Sequence, residues 1–498
     1  MPEDTHQDAQ EHPRPMSENV ASPAEPDRAS SNSTVAENPD DVAAQEPMTI
    51  EADTEVPPAV LVRAGWVVNT FASFRHRDFT LFWSGALASN IGTWMQNAAL
   101  IIVVYGLAPK QASLYAGLVG FISGAPVFFL AIPAGDIADR FDRRKLLIII
   151  QVVLLVQAAS LGLLYDLHIL TPSRPILSLA LVAGLGLIAG IFTAFMMPAY
   201  QSLLPDLVPR KDLMNAIALN AVQFQSSRMF GPMIVSAMVL AGAGMGLIFY
   251  ANAASFVFVI LALLAVRPRA AFDPGAVARH RAEESVMQRV GAGIAYARQD
   301  RAVGMLILST AMLTIFGFPY MTLLAAIVGA NIGGTVTQVG RATAVIMAFN
   351  GLGALLGALG VASLPSTTPR NRVIPYTLLA FAAFVVMFSL AHVEWTMAVF
   401  SVLAGAALMA TNSLAMTSIQ SEVPGHLRGR VMALFVMSFV GIMPFSALIF
   451  GPVGQIIGPD RAVMVAGIVL LAWALLLVAR PQWLQSVGTS AGPKESAA

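Results

Sequence analysis

The chain is 498 residues long; 56% of them are hydrophobic, only 12% are charged, the formal net charge is zero and cysteine is absent. These values exclude a disulfide framework, a cysteine-based metal site and the basic excess of a nucleic-acid-binding protein. They imply hydrocarbon as the solvent, because a bilayer core about 30 Å thick takes roughly 20 apolar residues per helical crossing and runs of that length recur along the sequence.

Residues 1–65 read as a disordered, acidic cytoplasmic tail. Its first 60 residues hold 14 Asp and Glu against Arg14 and Arg28, and too little apolar surface to offset chain entropy. The acidic, Pro-containing start lacks the basic region and apolar stretch of a secretory signal. From Phe79 onward long apolar runs alternate with short polar turns. The first six predicted spans are 79–106, 114–136, 145–166, 176–201, 213–239 and 246–266. The next six are 302–328, 340–362, 371–391, 395–420, 428–450 and 460–479. The longest connection, 267–301, separates a six-helix bundle over 66–266 from a second over 302–480, and a disordered tail over 481–498 closes the chain. Within that connection Val286, Val290 and Ile294 recur at helical spacing beside Arg289, Arg298 and Arg301. This pattern predicts an amphipathic helix lying on the cytoplasmic leaflet.

Loop charge sets the orientation. Connections after even-numbered spans carry 17 Lys and Arg, and those after odd-numbered spans carry four: Lys110, Arg174, Arg341 and Arg461. Both termini are therefore expected in the cytoplasm. An internal repeat supports the even count. Leu207-Val208-Pro209 leads to Phe230-Gly231-Pro232, and Glu422-Val423-Pro424 leads to Phe450-Gly451-Pro452 in the second bundle. The expected architecture is thus an all-α membrane protein of twelve transmembrane helices in two six-helix pseudo-repeats. Parallel repeats of this kind place a substrate site near the midplane, where one bundle rocks against the other.

Arg228 stands out among the polar residues, since it is the one Lys or Arg that falls well inside a predicted span. A lipid-facing arginine at that depth costs roughly 2.5–3.5 kcal/mol on insertion scales. It must face protein or a cavity. Gln225 lies one turn earlier on a similar face, and Gly231 with Pro232 predicts a break in the helix. Two roles remain open for Arg228: satisfying freed backbone carbonyls, or holding an anionic or carbonyl-rich substrate. Gln96, Asn97, Asn220 and Asn412 are further candidate cavity residues, with Asn90, Gln223 and Asn350 among the same mid-span amides and interhelical hydrogen bonding as the competing role. Met196, Met197, Phe316, Phe318 and Tyr320 are candidates for an adaptable apolar wall. The predicted spans hold no Asp or Glu at mid-depth, and the sequence has no phosphate-binding loop and no nucleophile, base and third-group constellation. An enzyme, a resident metal and a cofactor are accordingly not expected.

The segment Gly135-Asp136-Ile137-Ala138-Asp139-Arg140-Phe141-Asp142-Arg143-Arg144-Lys145 closely resembles the signature loop between helices two and three of the major facilitator superfamily. Asp142 stands where that pattern has a second glycine, and the corresponding loop of the second bundle keeps Arg370 and Arg372 but no acid. Ile91 to Gln96, Pro198-Ala199, Arg228 to Pro232 and Arg428-Gly429-Arg430 resemble its transmembrane secretion effector, enterobactin exporter-like branch. The resemblance covers roughly residues 70–480. It implies the major facilitator fold, export by alternating access of a small organic molecule such as a drug, siderophore or secreted metabolite, a coupling proton as in an antiporter, and a monomer in the lipid bilayer of a bacterial inner membrane. It also implies a cytoplasmic gate in which Gly135, Asp136, Asp139, Arg140, Arg143 and Arg144 meet the start of helix eleven at Arg428 and Arg430. An acid there meets unpaired N–H groups and a favourable dipole. For the basic residues, setting topology is the alternative role. A facilitator or importer shares all these features, and a non-transporting sensor or scaffold that uses the acidic tail is the alternative of a different class.

Overall fold

The computed structural model describes residues 71–266, 286–365 and 367–487, except for the side chains of 131–133, 135–140 and 286–290. The expected tail over 1–65 and the end of the chain from 488 lie outside the described residues.

The described residues form helices and turns, with no strand among them. The first set comprises α1 (Arg77–Leu107), α2 (Ala112–Arg140), α3 (Arg143–Asp166), α4 (Pro175–Leu207), α5 (Leu213–Leu240) and α6 (Met245–Ala265). The second set begins with α7 (Val286–Gln299), α8 (Arg301–Gly317), the single turn α9 (Pro319–Thr322) and α10 (Leu324–Asn331). It continues with α11 (Val336–Ala362), α12 (Arg370–Ser389), α13 (Glu394–Glu422), α14 (Gly425–Val436), α15 (Met443–Ile457) and α16 (Pro459–Ala479). Among the described residues, eleven helical stretches are long and apolar enough to cross a membrane. The 28-residue α5 is not one of them. Its apolar run is interrupted by Asn215, Asn220, Gln223, Gln225 and Arg228.

Local chemistry fixes the helix starts. Asp142 caps α3 by accepting from the backbone N–H of Arg144 (2.9 Å) and Lys145 (3.1 Å), which gives the residue at the expected glycine position a capping role. Asp300 does the same for α8. Thr335 and Gln338 form a reciprocal capping box at α11. Small residues then let the helices approach closely, as lipid-embedded packing requires. A Cβ on Gly92 would collide with Ser255 and Asn252 of α6, and one on Gly353 with the carbonyl of Val402 in α13.

Three expectations about helix continuity need correction. Pro232 does not break α5, which runs through it unbroken. The breaks fall in the second set. The predicted span 302–328 is divided at Phe318 and Leu323 into α8, α9 and α10. Pro319 has no N–H to give to the carbonyl of Ile315, and Ser446 Oγ of α15 donates to that carbonyl instead, at 2.7 Å. The predicted span 428–450 is interrupted by a π-turn at Met437–Gly441. There the Ile442 N–H reaches the carbonyl of Met437, and Thr314 Oγ1 of α8 donates to the carbonyl of Phe439. The two irregular helices thus satisfy each other's loosened backbone.

The central connection contains a helix, α7, and one face of it packs on protein. A Cβ on Gly293 would press on the Arg430 carbonyl and Leu434 of α14, and Tyr296 packs on the buried cluster that includes Val431 and Phe435. The proposed register through Val286, Arg289 and Val290 falls on side chains outside the described residues. The expected C-terminal tail is also partly ordered: Pro481–Leu484 form a 3-10 turn, with Leu484 and Val487 buried and Arg301 stacked 5.2 Å over the Trp483 ring.

The turns after the odd-numbered predicted spans gather at one end of the bundle, here the odd end. Asn331, the last residue of α10, donates to the Ala391 carbonyl and to Asp460. Gln455 Nε2 of α15 donates to the Lys110 carbonyl beyond α1, at 3.0 Å. The sets interlock there. Tyr105 of α1 fills the space beside Gly329, Ile102 that beside Gly340, and Gly117 of α2 lies against Ala447 and Gly451 of α15. At the even end Ser73 anchors the segment before α1 to Asp212 and Asn215.

Candidate functional site

At mid-height, α5 of the first set faces α11 of the second. Gly351 makes this possible: a Cβ there would lie 2.6 Å from the Met229 Cα and 2.7 Å from the Arg228 carbonyl. That carbonyl is the one left without its helical donor by Pro232, and it rests against a bare glycine Cα.

Arg228 is partly buried and reaches across the interface. Its Nη2 donates to Asn350 Oδ1 of α11 at 2.9 Å, and its guanidinium lies 5.6 Å from the centre of the Trp94 ring of α1. A charge-assisted bond of this type contributes about 1.5–3 kcal/mol and a desolvated cation–π contact about 2 kcal/mol. Asn350 is 1% exposed. Its Nδ2 donates to the Tyr320 hydroxyl at 2.7 Å and to the Ser401 carbonyl at 3.1 Å.

Gln225 shares the Arg228 face and touches the same opposing set, with Nε2 at 3.1 Å from Met409 Sδ of α13. Its Oε1 is buried with no partner among the described residues, as is Oδ1 of Asn412, one turn beyond Met409. Arg228, Gln225 and Asn412 therefore lie at the seam between the sets. Three other candidates lie elsewhere. Gln96 is buried inside the first set, donating to Gln157 Oε1 and accepting from Asn252 Nδ2. Asn220 accepts from the Tyr200 hydroxyl at 2.8 Å, and Asn97 is exposed. Of the proposed apolar wall, Phe318 and Tyr320 are core residues, whereas Met197 is 49% exposed.

In the signature loop, Gly135, Asp136, Asp139 and Arg140 occupy the last turns of α2, and their side chains are outside the described residues. Arg143 and Arg144 bind within their own set. Arg143 Nη1 donates to the Ser202 carbonyl and to Asp206 Oδ2 (2.9 Å) of α4, and Arg144 donates to the Leu263 and Leu264 carbonyls at the end of α6. Cations there complement a helix C-terminus. Arg428 is exposed and Arg430 partly buried on α14.

Asn350 is one of the mid-span amides and Tyr320 part of the expected apolar wall, but the sequence pairs neither with Arg228 and assigns Trp94 and Gly351 no role in the site. Their signal was indirect: an arginine at depth requires partners, and the sequence offers no acid to supply them.

An all-helical bundle whose described residues include eleven stretches long and apolar enough to cross a membrane has the architecture of a polytopic membrane protein. The chain belongs to the transmembrane secretion effector family of the major facilitator superfamily, whose model matches residues 68–487. It is 25% identical over 418 residues to the enterobactin exporter of Escherichia coli O1:K1, covering 84% of this chain and 94% of that one. The enterobactin exporter of Salmonella choleraesuis is 24% identical over 423 residues, covering 84% and 95%. Among solved structures, a peptide transporter POT aligns with a TM-score of 0.60 at 14% identity, over 82% of this chain and 95% of that one. The nucleoside transporter NupG aligns at 0.59 and 11%, over 79% and 99%. A bacterial homologue of the iron transporter ferroportin aligns at 0.58 and 17%, over 82% and 98%. These structural likenesses establish the fold.

Proposed function

We propose that the protein is a secondary active exporter of small organic molecules, such as drugs, siderophores or secreted metabolites, working by alternating access and driven by protons. The observation that carries this reading is Arg228, which spans the seam between the sets at mid-height to reach Asn350. A substrate site at such a seam is exposed to one side and then the other as the sets rock. Relatives named as enterobactin exporters support the direction of flux. Arg228 would hold an anionic or carbonyl oxygen of the substrate, with Gln225 and Asn412 beside it. One proton crossing 100 mV supplies about 2.3 kcal/mol, which drives roughly a fiftyfold gradient. The direct test compares metabolites retained by cells lacking the gene with those retained on overexpression. A compound that accumulates in the first and is depleted in the second supports export, and the opposite pattern indicates import.

In this reading α5 is the twelfth span, the two sets are parallel six-helix repeats, and the odd end faces outward with both termini in the cytoplasm. Val208 and Val423 support the repeat: each is the extended residue that ends a helix, and each is followed by an extended proline at the start of the next element. The cysteine-free background allows a clean test. Single cysteines at Gln111 and Ser173 are expected to react with a membrane-impermeant thiol reagent in intact cells. Cysteines at Ala270 and Ser285 are expected to react only after lysis. Reaction at 270 in intact cells would reverse the orientation.

Gly135, Asp136 and Asp139, with Arg428 and Arg430, are proposed as the cytoplasmic latch. Asp139→Asn keeps the side-chain size and removes a charge that contributes about 0.3–1 kcal/mol, up to ~2, at a helix N-terminus. Transport is expected to fall several-fold with normal insertion, and cavity cysteines should become more reactive from the cytoplasm. Unchanged flux and reactivity would remove the latch.

A further inference from the structure

We infer that Asn350 and Tyr320 form a relay that couples Arg228 to the outer gate, with Asn350 as a positioning residue. This rests on the transporter reading above and adds to it how occupancy of the site is sensed.

The relay is continuous. Arg228 Nη2 donates to Asn350 Oδ1, and Asn350 Nδ2 donates to the Tyr320 hydroxyl. Tyr320 is 1% exposed and belongs to α9, the single turn between the irregular residues Phe318 and Leu323. Beyond Leu323, α10 carries Gly329, against which Tyr105 of α1 packs to close the odd end. A displacement of Tyr320 therefore acts on a single turn that stays hydrogen-bonded to its neighbours through Phe318 and Leu323, and the segment next to it is part of the gate.

Asn350 suits this role because both ends of its amide are committed. Its oxygen serves Arg228, and its nitrogen serves Tyr320 and the Ser401 carbonyl. Gly405 of α13 would touch the Asn350 carbonyl and amide if it bore a Cβ, so the side chain has little room to reorient independently. A substrate oxygen bound at the Nη2 edge of Arg228 competes with Asn350 Oδ1 for that one donor. When it wins, the buried Asn350 amide loses a partner and must find another arrangement, because an unsatisfied buried polar group is costly. The nearest adjustable element is α9. Anion binding at Arg228 thus weakens the packing of α10 on α1 and favours opening of the odd end, the event that releases an exported molecule.

The test needs no substrate. Spin labels at Gln111 and Ile332, both exposed, report the separation of the α1–α2 turn from the end of α10 in the full-length, membrane-reconstituted protein by double electron–electron resonance. Tyr320→Phe removes the hydroxyl, and Arg228→Met removes the donor. Each is expected to raise the ratio of long to short distances about tenfold, the equivalent of one net buried hydrogen bond. Because both act through Asn350, the double variant is expected to shift the ratio no further than either single variant. Independent structural roles predict multiplication to roughly a hundredfold. If Arg228→Met does not insert, Asn350→Ala alone and combined with Tyr320→Phe gives the same comparison. A multiplicative double variant, or distances unchanged in both single variants, overturns the relay. Failure to find an exported compound would count against the proposed function and leave these distances as they are.

Discussion

Export by an Arg228→Gln protein is expected to fall at least tenfold while membrane insertion and yield stay close to wild type. The guanidinium is held by a charge-assisted bond to Asn350 and by the Trp94 ring. Glutamine preserves a donor for Asn350 but removes the charge that would attract an anionic or carbonyl oxygen. Arg228→Lys makes the complementary change: it keeps the charge and loses the planar fork that serves two partners at once. Partial export by the lysine variant with very little by the glutamine variant indicates an electrostatic substrate contact. Poor insertion of both assigns Arg228 to structure, and normal export by a well-inserted glutamine variant rules out a substrate contact there. The measurement is efflux of the compound that gene-deleted cells retain, normalised to protein in the membrane.

That Arg228 stands at a seam was legible because a charge at membrane depth must be explained and Gln225 one turn away fixed the face. Its partners were not legible. Asn350 is an ordinary amide in an apolar run, and only tertiary packing, permitted by Gly351, brings it to α5. Gln96 misled for the same reason: a polar residue at mid-span is equally suited to a cavity or to a closed network, and its bonds to Gln157 and Asn252 decide for the network. Helix positions followed from apolar run length, which is a one-dimensional property. Helix continuity did not. Pro232 and Pro319 look alike in sequence, yet one is absorbed and the other marks a break. In the first case the orphaned carbonyl lies against Gly351 in a continuous helix, and in the second a hydroxyl from another helix, Ser446, takes it over. Both outcomes depend on a residue more than a hundred positions away.

The second large effect is expected at the odd end, where α2 and α15 meet through facing glycines. A Cβ on Gly117 would lie 2.5 Å from the Ala447 carbonyl and 2.7 Å from the Gly451 Cα, both backbone atoms. Neither can move aside as the end of a flexible side chain would. Leucine at 117 must therefore push α2 and α15 apart, and Gly124 against Pro444 further along the same pair leaves no room to pivot locally. Overpacking of this kind typically costs about 1–3 kcal/mol. The cost falls on the conformer closed at the odd end. Each set keeps its own packing, so insertion should persist. Gly117→Leu is then expected to reduce export at least tenfold and to raise the reactivity of a cysteine at Ser113 toward an impermeant reagent in intact cells. Gly184→Leu is the control, since a Cβ there meets nothing within 4 Å and near-normal export is expected. If Gly117→Leu exports normally, close approach of α2 and α15 is not part of the cycle. If it loses export without a change in Ser113 reactivity, the defect lies in folding of α2 and not in closure, and the glycine contact has no gating role.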